Sequence, residues 1–333
     1  MEYSRDDFMN IAKGFQKTRI FLTSLELDVF FVLGEEQRTS KEIAKEIAVD
    51  HRALDRLMNA LVSFEILKKE DGFFSNTESG KKFLLKTSPE FISFGKHVIN
   101  MWDSWTTLTG AIKAGGTIYN REKFERSKEW FESFIEAMHD RASLQAPHVA
   151  DCLDLSNVNK ILDVGGGSGA YSFEFINRIE NNEAKAFIFD LPDVTCLTKG
   201  YAEKAGLEKK ILTLDGNYNE DDFGLDYDLI FMSAIIHINS EKQNEILVKK
   251  AYEALNENGQ LVIQDFFISD DRTQPTKASV FALNMIVATE EGDCYTEKEI
   301  ASWMGKAGLK NIHRKDTKAG GNLLIGRKVA KEI

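Results

Sequence analysis

A histidine, three aspartates and a run of glycines hold most of the chemistry this chain can offer. Asp163-Val-Gly-Gly-Gly-Ser-Gly169 places four glycines within five residues, directly after an apolar run that ends in an acid. Glycine is needed where a backbone must take positive φ and approach a ligand with no Cβ in between. Gly165, Gly167 and Ala170 fit the G-x-G-x-x-A form of a nucleotide-binding turn, a weak motif when it stands alone. Asp163 stands where an acid can receive a cationic amino-acid moiety. Asp190 closes the next apolar run, Ala186-Phe-Ile-Phe-Asp190, and suits ribose hydroxyls. His237 follows a third run, Asp228-Leu-Ile-Phe-Met232, and Asp265 closes a fourth. A neutral imidazole so placed can accept a proton from a phenol, whose pKa is about 10. A lone histidine at the end of an apolar strand is also commonly a hydrogen-bonded structural residue, and spacing alone leaves both readings open.

The elements that must position these residues follow from periodicity. Strands are expected at 160–164, 185–190, 210–214, 227–232 and 260–266, and helices at 170–180, 193–205, 241–255 and 296–307. Alternating strand and helix with continuous apolar strand runs gives a parallel sheet covered on both faces, an α/β fold. Its carboxyl edge is where ligands bind, and the glycine bend, Asp190, His237 and Asp265 all fall there. The chain closes with two strand-like runs, Asn311–Lys315 and Asn322–Arg327, joined by Lys318-Ala-Gly-Gly321. That hairpin puts an antiparallel strand into the sheet, which a dinucleotide-binding dehydrogenase would not normally do. With the two acids, it favours S-adenosylmethionine over NAD.

The first third reads differently. Arg19 to Leu33 has apolar residues at helical spacing and stops at Gly34. Thr39 with Glu42 is a capping box, and Asp50 opens a third helix that runs to about Phe64. Ile66–Lys69 and Phe73–Ser75 form a hairpin about Asp71-Gly72. Three helices and a hairpin make a winged-helix pattern, in which the third helix is only modestly basic (Arg52 and Arg56 beside Asp50 and Asp55). Dimerisation or scaffolding is the favoured role and DNA binding the rival. A helical stretch, Lys128–Leu153, leads into the second part. The expected organisation is a winged-helix-like domain over 1–100, a helical pocket-forming region over 101–155 and a cofactor-binding catalytic domain over 156–333.

Composition narrows the partners. The chain has 333 residues, 43% hydrophobic and 29% charged, with a formal net charge of −11. Nucleic-acid binding draws on Lys and Arg neutralising phosphates, so this balance argues against a polyanionic partner. Three widely spaced cysteines (Cys152, Cys196 and Cys294) give no disulfide framework and point to a reducing compartment. No His/Cys cluster has metal-ligand spacing, so no metal is expected. No signal region or membrane-spanning run stands out, which makes the cytoplasm the expected location.

Winged-helix segment, Asp163-Val-Gly-Gly-Gly-Ser-Gly169, Phe189-Asp-Leu-Pro-Asp193 and Ile-Ile-His237 together resemble the small-molecule O-methyltransferases, including plant caffeic acid and flavonoid enzymes and bacterial polyketide- and antibiotic-tailoring enzymes. The glycine motif is shared widely among class I methyltransferases; Phe-Asp-Leu-Pro with the later His is more specific. The resemblance implies a homodimer formed through the N-terminal domain and a Rossmann-like catalytic domain. It implies S-adenosylmethionine bound by Asp163, Gly165, Gly167, Gly169, Asp190, Leu191, Gly216, Asn217, Tyr218 and Ser233, with S-adenosylhomocysteine as product. It also implies His237 as general base with Asp265 as its orienter. Trp102, Phe134, Met138, Arg141, Phe281, Asn284 and Met285 are expected to line a pocket for a flat aromatic or polycyclic hydroxylated acceptor, Arg141 hinting at an anionic group on it. Plain core packing is the alternative for any one of the apolar members. Three departures stand out. The family's Gly-Asp near adenine is Gly216-Asn217 here. Its second catalytic acid falls at Cys294, which leaves support of the base to Asp265 or Asp293. Its His-Asp-Trp is His237-Ile-Asn239. These keep N- or C-methylation and cofactor-assisted decarboxylation or hydroxylation open as alternatives to O-methyl transfer.

Overall fold

The structure, a computed structural model, describes residues 2–92, 95–119, 128–318 and 321–330. Two compact units divide the chain, residues 1–102 and 103–333.

In the first unit, α1 (Arg5–Glu26) begins at a Ser4 capping box completed by Asp7. α2 (Val29–Leu33) follows at once, so the single helix expected from Arg19 to Leu33 is two. The break is Asp28, which sits in the left-handed region at φ 52°, a conformation that Asp tolerates better than most residues. The new direction lets α2 bury Val29, Phe30 and Leu33 in a core with Ile43, Leu54, Met58, Leu61 and Phe74. β1 (Arg38–Thr39), α3 (Ser40–Glu46), α4 (His51–Ser63), β2 (Leu67–Glu70), β3 (Phe73–Asn76) and α5 (Glu78–Leu84) complete the unit. Its antiparallel sheet has the order β1-β3-β2, one strand more than the expected hairpin. The buried Asn76 amide donates to the carbonyls of Phe30 and Gly34, tying β3 to α2. α1 instead leaves Phe8, Ile11 and Phe15 exposed, at 61%, 64% and 58%.

α6 (Gly95–Thr106) carries the chain into the second unit, followed by α7 (Leu108–Ala114) and α8 (Lys128–Ala150). Then β4 (Lys160–Val164), α9 (Ala170–Arg178), β5 (Lys185–Asp190), α10 (Pro192–Lys204), β6 (Ile211–Asp215) and β7 (Tyr227–Ser233) alternate. α11 (Glu241–Ala254), β8 (Leu255–Asp265), α12 (Thr276–Ala288), α13 (Glu297–Ala307), β9 (Lys310–Asp316) and β10 (Asn322–Arg327) close the unit. The seven strands run in the order β6-β5-β4-β7-β8-β10-β9, parallel from β6 to β8. β10 enters antiparallel to β8, as expected of the terminal hairpin; Ala319 and Gly320 of its turn lie outside the described residues. The chain winds from β4 outward to β6 and then returns to β7, so the strand order reverses between β4 and β7. That switch point is where an open α/β sheet forms its ligand crevice. Apolar residues fill both faces of the sheet, Leu162, Ile230 and Ile263 on one and Ile161, Phe231 and Val262 on the other.

Candidate active site

The glycine bend stands on β4 at the switch point. Gly165 has φ 64° and donates its N–H to the Phe189 carbonyl at 2.8 Å, and a Cβ there would lie 2.6 Å from Ile235 Cγ2. Gly167, at φ 57°, would have nothing within 4 Å of a Cβ, so its open side is free for a ligand to approach. Its N–H donates to Asp190 Oδ2 at 2.9 Å, and its carbonyl accepts from Thr198 Oγ1 at 2.6 Å. Gly169, φ 83°, is the residue from which α9 starts. Leu191 N–H donates to the other Asp190 oxygen at 2.8 Å, and burial pushes the Asp190 carboxyl up against these bonds. Each oxygen keeps a further lone pair for a hydroxyl. Leu191 is 51% exposed, an apolar side chain beside that acid.

Asp163 is fully buried beneath the bend. One oxygen accepts from Ser172 Oγ at 2.8 Å; the other has no partner. Burial pushes its carboxyl up to about 7. An orphaned buried carboxylate oxygen is costly and is the feature a cationic group would satisfy. Together with the open side of Gly167 and the free lone pairs of Asp190, it fits a ligand with ammonium and ribose groups.

The other expected cofactor residues lie along the same strand edge. A Cβ on Gly216 would meet the Phe189 ring at 2.4 Å. Asn217 uses its side-chain oxygen locally, accepting from Asn219 N–H at 3.0 Å. Burial, then the nearby Asp190 charge, pushes the Tyr218 hydroxyl up to about 12. The Ser233 hydroxyl donates to Gln264 Oε1 at 3.2 Å, so it is already engaged within the sheet.

β7 ends at Ser233, and Ala234 turns the chain at φ 57° into a 3-10 turn, Ile236–Ile238. Asn244 holds the Ile236 carbonyl and the Tyr295 hydroxyl holds that of Asn239. Gly292 approaches so closely that a Cβ would lie 2.3 Å from the His237 carbonyl oxygen. The imidazole so fixed has Nδ1 2.7 Å from Asp265 Oδ1 at the end of β8. The same oxygen accepts from Phe266 N–H at 2.8 Å, and the Asp265 side chain is only 3% exposed. An ionised carboxylate has no proton to give, so Nδ1–H is the donor and Nε2 carries the free lone pair.

Neither Asp293 nor Cys294 hydrogen-bonds the imidazole. Asp293 forms an ion pair with Arg272 at 3.1 Å and accepts from Cys294 N–H. The Cys294 thiol donates to the Ala278 carbonyl, and burial pushes it up to about 12.

The expected acceptor residues divide. Trp102 belongs to the first unit, where Arg19 lies over its ring at 5.4 Å. Phe134, Met138 and Arg141 lie on α8, and Phe281, Asn284 and Met285 on α12, all in the second unit. Phe281 meets the His237 ring edge-on at 4.9 Å. Asn284 accepts from the Trp105 indole at 3.0 Å, and Met285 is buried. A cleft of about 590 Å³ bordered by Tyr218, Asn219, Ile238, Asn239 and Thr289 opens beside the His237 turn. From the sequence His139 stands only as a weaker candidate for substrate or cofactor contact, and Phe266 is not marked at all. His139, on α8, has Nδ1 2.8 Å from Ser168 Oγ inside the glycine bend and stacks on Tyr201. Phe266, next to Asp265, packs against Phe281 with ring centroids 4.1 Å apart and planes tilted by 33°. Its adjacency to Asp265 was the only available signal.

A seven-stranded sheet with this order, a glycine bend flanked by two acids and a His–Asp pair on the same edge define a class I methyltransferase. The chain belongs to the O-methyltransferase family: that family's O-methyltransferase domain matches residues 105–310 and its dimerisation domain residues 9–86. It is an S-adenosylmethionine-dependent O-methyltransferase. Among its relatives is the 3-hydroxy-5-methyl-1-naphthoate 3-O-methyltransferase of Streptomyces sahachiroi, 26% identical over 91% of this chain and 89% of that protein. The acetylserotonin O-methyltransferase of Gallus gallus is 27% identical over 95% of each. In fold the chain is similar to PigF with SAH (TM-score 0.89, 21% identity, covering 98% of this chain and 100% of that one). It is also similar to human N-acetylserotonin methyltransferase in complex with SAM (TM-score 0.83, 22% identity, covering 99% of each). The dimerisation-domain match falls on the winged-helix segment and agrees with the dimerisation role expected of it.

Proposed function

We propose that His237 is the general base of methyl transfer to the hydroxyl of a small aromatic or polycyclic acceptor, with Asp265 orienting it. The observation that carries this reading is the 2.7 Å His237–Asp265 contact at the sheet edge that holds the glycine bend. With Nδ1–H committed to the carboxylate, Nε2 takes the hydroxyl proton as the oxygen becomes nucleophilic, and Asp265 stabilises the imidazolium that results. S-adenosylmethionine, when bound, supplies an electrophilic methyl group on a sulfonium. Asp163 would hold its ammonium group and Asp190 its ribose hydroxyls, with Gly165, Gly167 and Gly169 letting the backbone approach. Leu191, Gly216, Asn217 and Tyr218 would border the base. Holding acceptor oxygen and methyl carbon about 3 Å apart supplies much of the acceleration, and the base a further factor of about 10²–10⁴.

The aromatic acceptor is supported by Phe281 and Phe266 beside the imidazole, and by relatives named for a hydroxynaphthoate and for acetylserotonin. The exposed apolar stripe of α1 and the dimerisation-domain match support a homodimer. No helix among the described residues is long and apolar enough to cross a membrane, and with the cysteine usage this supports a cytoplasmic enzyme.

The test uses methyl-labelled S-adenosylmethionine and a panel of hydroxylated arenes. His237→Ala should lower turnover by about 10²-fold or more while changing cofactor affinity only a few-fold. Unchanged turnover would remove His237 from the chemistry.

A further inference from the structure

Two cations converge on the ring next to the catalytic pair. The Arg141 guanidinium carbon, from α8, lies 5.0 Å from the centroid of Phe266. The Lys277 ammonium, from α12, lies 5.7 Å from the same centroid. Phe266 packs at a tilt against Phe281, and both rings lie beside His237, with centroids 6.0 Å (Phe266) and 4.9 Å (Phe281) from the imidazole. One aromatic patch therefore runs from the two cations to the imidazole.

Neither cation has an ion-pair partner among the described residues, in a chain with 53 acidic and 42 basic side chains. The contrast within the unit is sharp. Arg178, Arg272, Arg314 and Arg327, the other described arginines there, each pair with a carboxylate. Arg141 is half-buried, where an unpaired charge is less readily solvated than at the surface. Lys277 stands in the first turn of α12, where the helix dipole disfavours a cation, and no acid in that turn offsets it.

A guanidinium held over a ring by its charge keeps its N–H groups for other partners. Its five N–H groups lie in the plane and remain able to grip a planar anion bidentately. We infer that the acceptor is a hydroxylated aromatic carboxylate, whose ring lies along the Phe266–Phe281 patch with its hydroxyl at His237 and its carboxylate at Arg141 and Lys277. This rests on the acceptor-site reading above and adds the substrate's charged group to it.

Hydroxynaphthoic acids, each paired with the naphthol that lacks only the carboxylate, provide the probes. In the wild-type enzyme kcat/KM for the best acid should exceed that of its naphthol by at least about tenfold, the low end for a hydrogen bond to a charged group. Arg141→Gln should collapse that ratio toward one, Lys277→Gln should reduce it partly, and Arg141→Lys should restore some of it. A wild-type ratio near one, or a ratio that survives Arg141→Gln, would overturn the inference. Calorimetry with S-adenosylhomocysteine present separates it from the base assignment. Arg141-dependent preference for the acid without methyl transfer would sink the catalytic reading and keep this one. Methyl transfer with equal binding of acid and naphthol would do the reverse, and binding of neither would overturn this one.

Discussion

Replacing Asp265 by Asn tests whether the charge behind His237 is used or merely its shape. Asp265 Oδ1 accepts two N–H groups, His237 Nδ1 at 2.7 Å and Phe266 N at 2.8 Å, while Oδ2 makes only a long contact with His237 N at 3.4 Å. An amide oxygen in the Oδ1 place can keep both short bonds, so tautomer and ring orientation survive and only the charge is lost. A hydrogen bond to a charged group is worth about 1.5–3 kcal/mol and a neutral one about 0.5–1.5. The difference, about 1–2 kcal/mol, acts when the imidazole becomes cationic, and at about 1.4 kcal/mol per decade it corresponds to a roughly 5–30-fold fall in kcat. The 3% exposure of the carboxylate leaves little water to screen it. Steady-state kinetics at saturating cofactor would read kcat, with KM for S-adenosylmethionine unchanged within about twofold. Asp265→Ala strands all three N–H groups and should also lower the melting temperature. Wild-type kcat in a folded Asp265→Asn enzyme would refute the electrostatic role and leave positioning to account for the rate.

Asp163→Asn should act through pH. A carboxyl raised from 3.8 to about 7 on folding contributes full stability below the ordinary value and loses it as pH rises toward 7. The melting advantage of the variant over wild type, in the absence of cofactor, should therefore grow between about pH 4 and 8; a difference independent of pH would sink this. Calorimetric affinity for S-adenosylmethionine should rise with pH through about 7 in the wild type and flatten in the variant. His139→Ala and Ser168→Ala should each raise KM for S-adenosylmethionine about 2–10-fold with a smaller effect on kcat, and the double variant should match either single one. Additive losses would mean that the 2.8 Å contact is not what holds the bend. Phe8→Asp with Phe15→Asp should convert a dimer to monomers in sedimentation velocity, since both side chains lie on the exposed stripe of α1. A monomeric wild type would contradict the proposed assembly.

Much of the scaffold was legible locally because its causes are local. β4, β5 and β7 fall within a residue or so of their expected bounds, since buried strands are written as unbroken apolar runs. The Thr39 and Asp50 caps appear where the hydroxyl and carboxylate stand in the sequence. The single helix expected across Asp28 failed for the opposite reason. Apolar spacing continues smoothly through that residue, and only the demand that Phe30 and Leu33 enter the core turns the backbone there.

The sequence by itself determined which residues could do chemistry and which end of which strand each would occupy. Glycines that need positive φ, and acids that end apolar runs, are properties of a few adjacent positions. Only the tertiary structure decided which of them meet. β8 lying beside β7 brings Asp265 to His237 across 28 residues, while Arg272 draws Asp293 away. α8 sets His139 against the glycine bend and Arg141 over Phe266. No short window of sequence encodes such pairings, because strand order and the return of a helix over the sheet are decided by burial of the whole core, and side chains far apart in the chain become neighbours as a consequence.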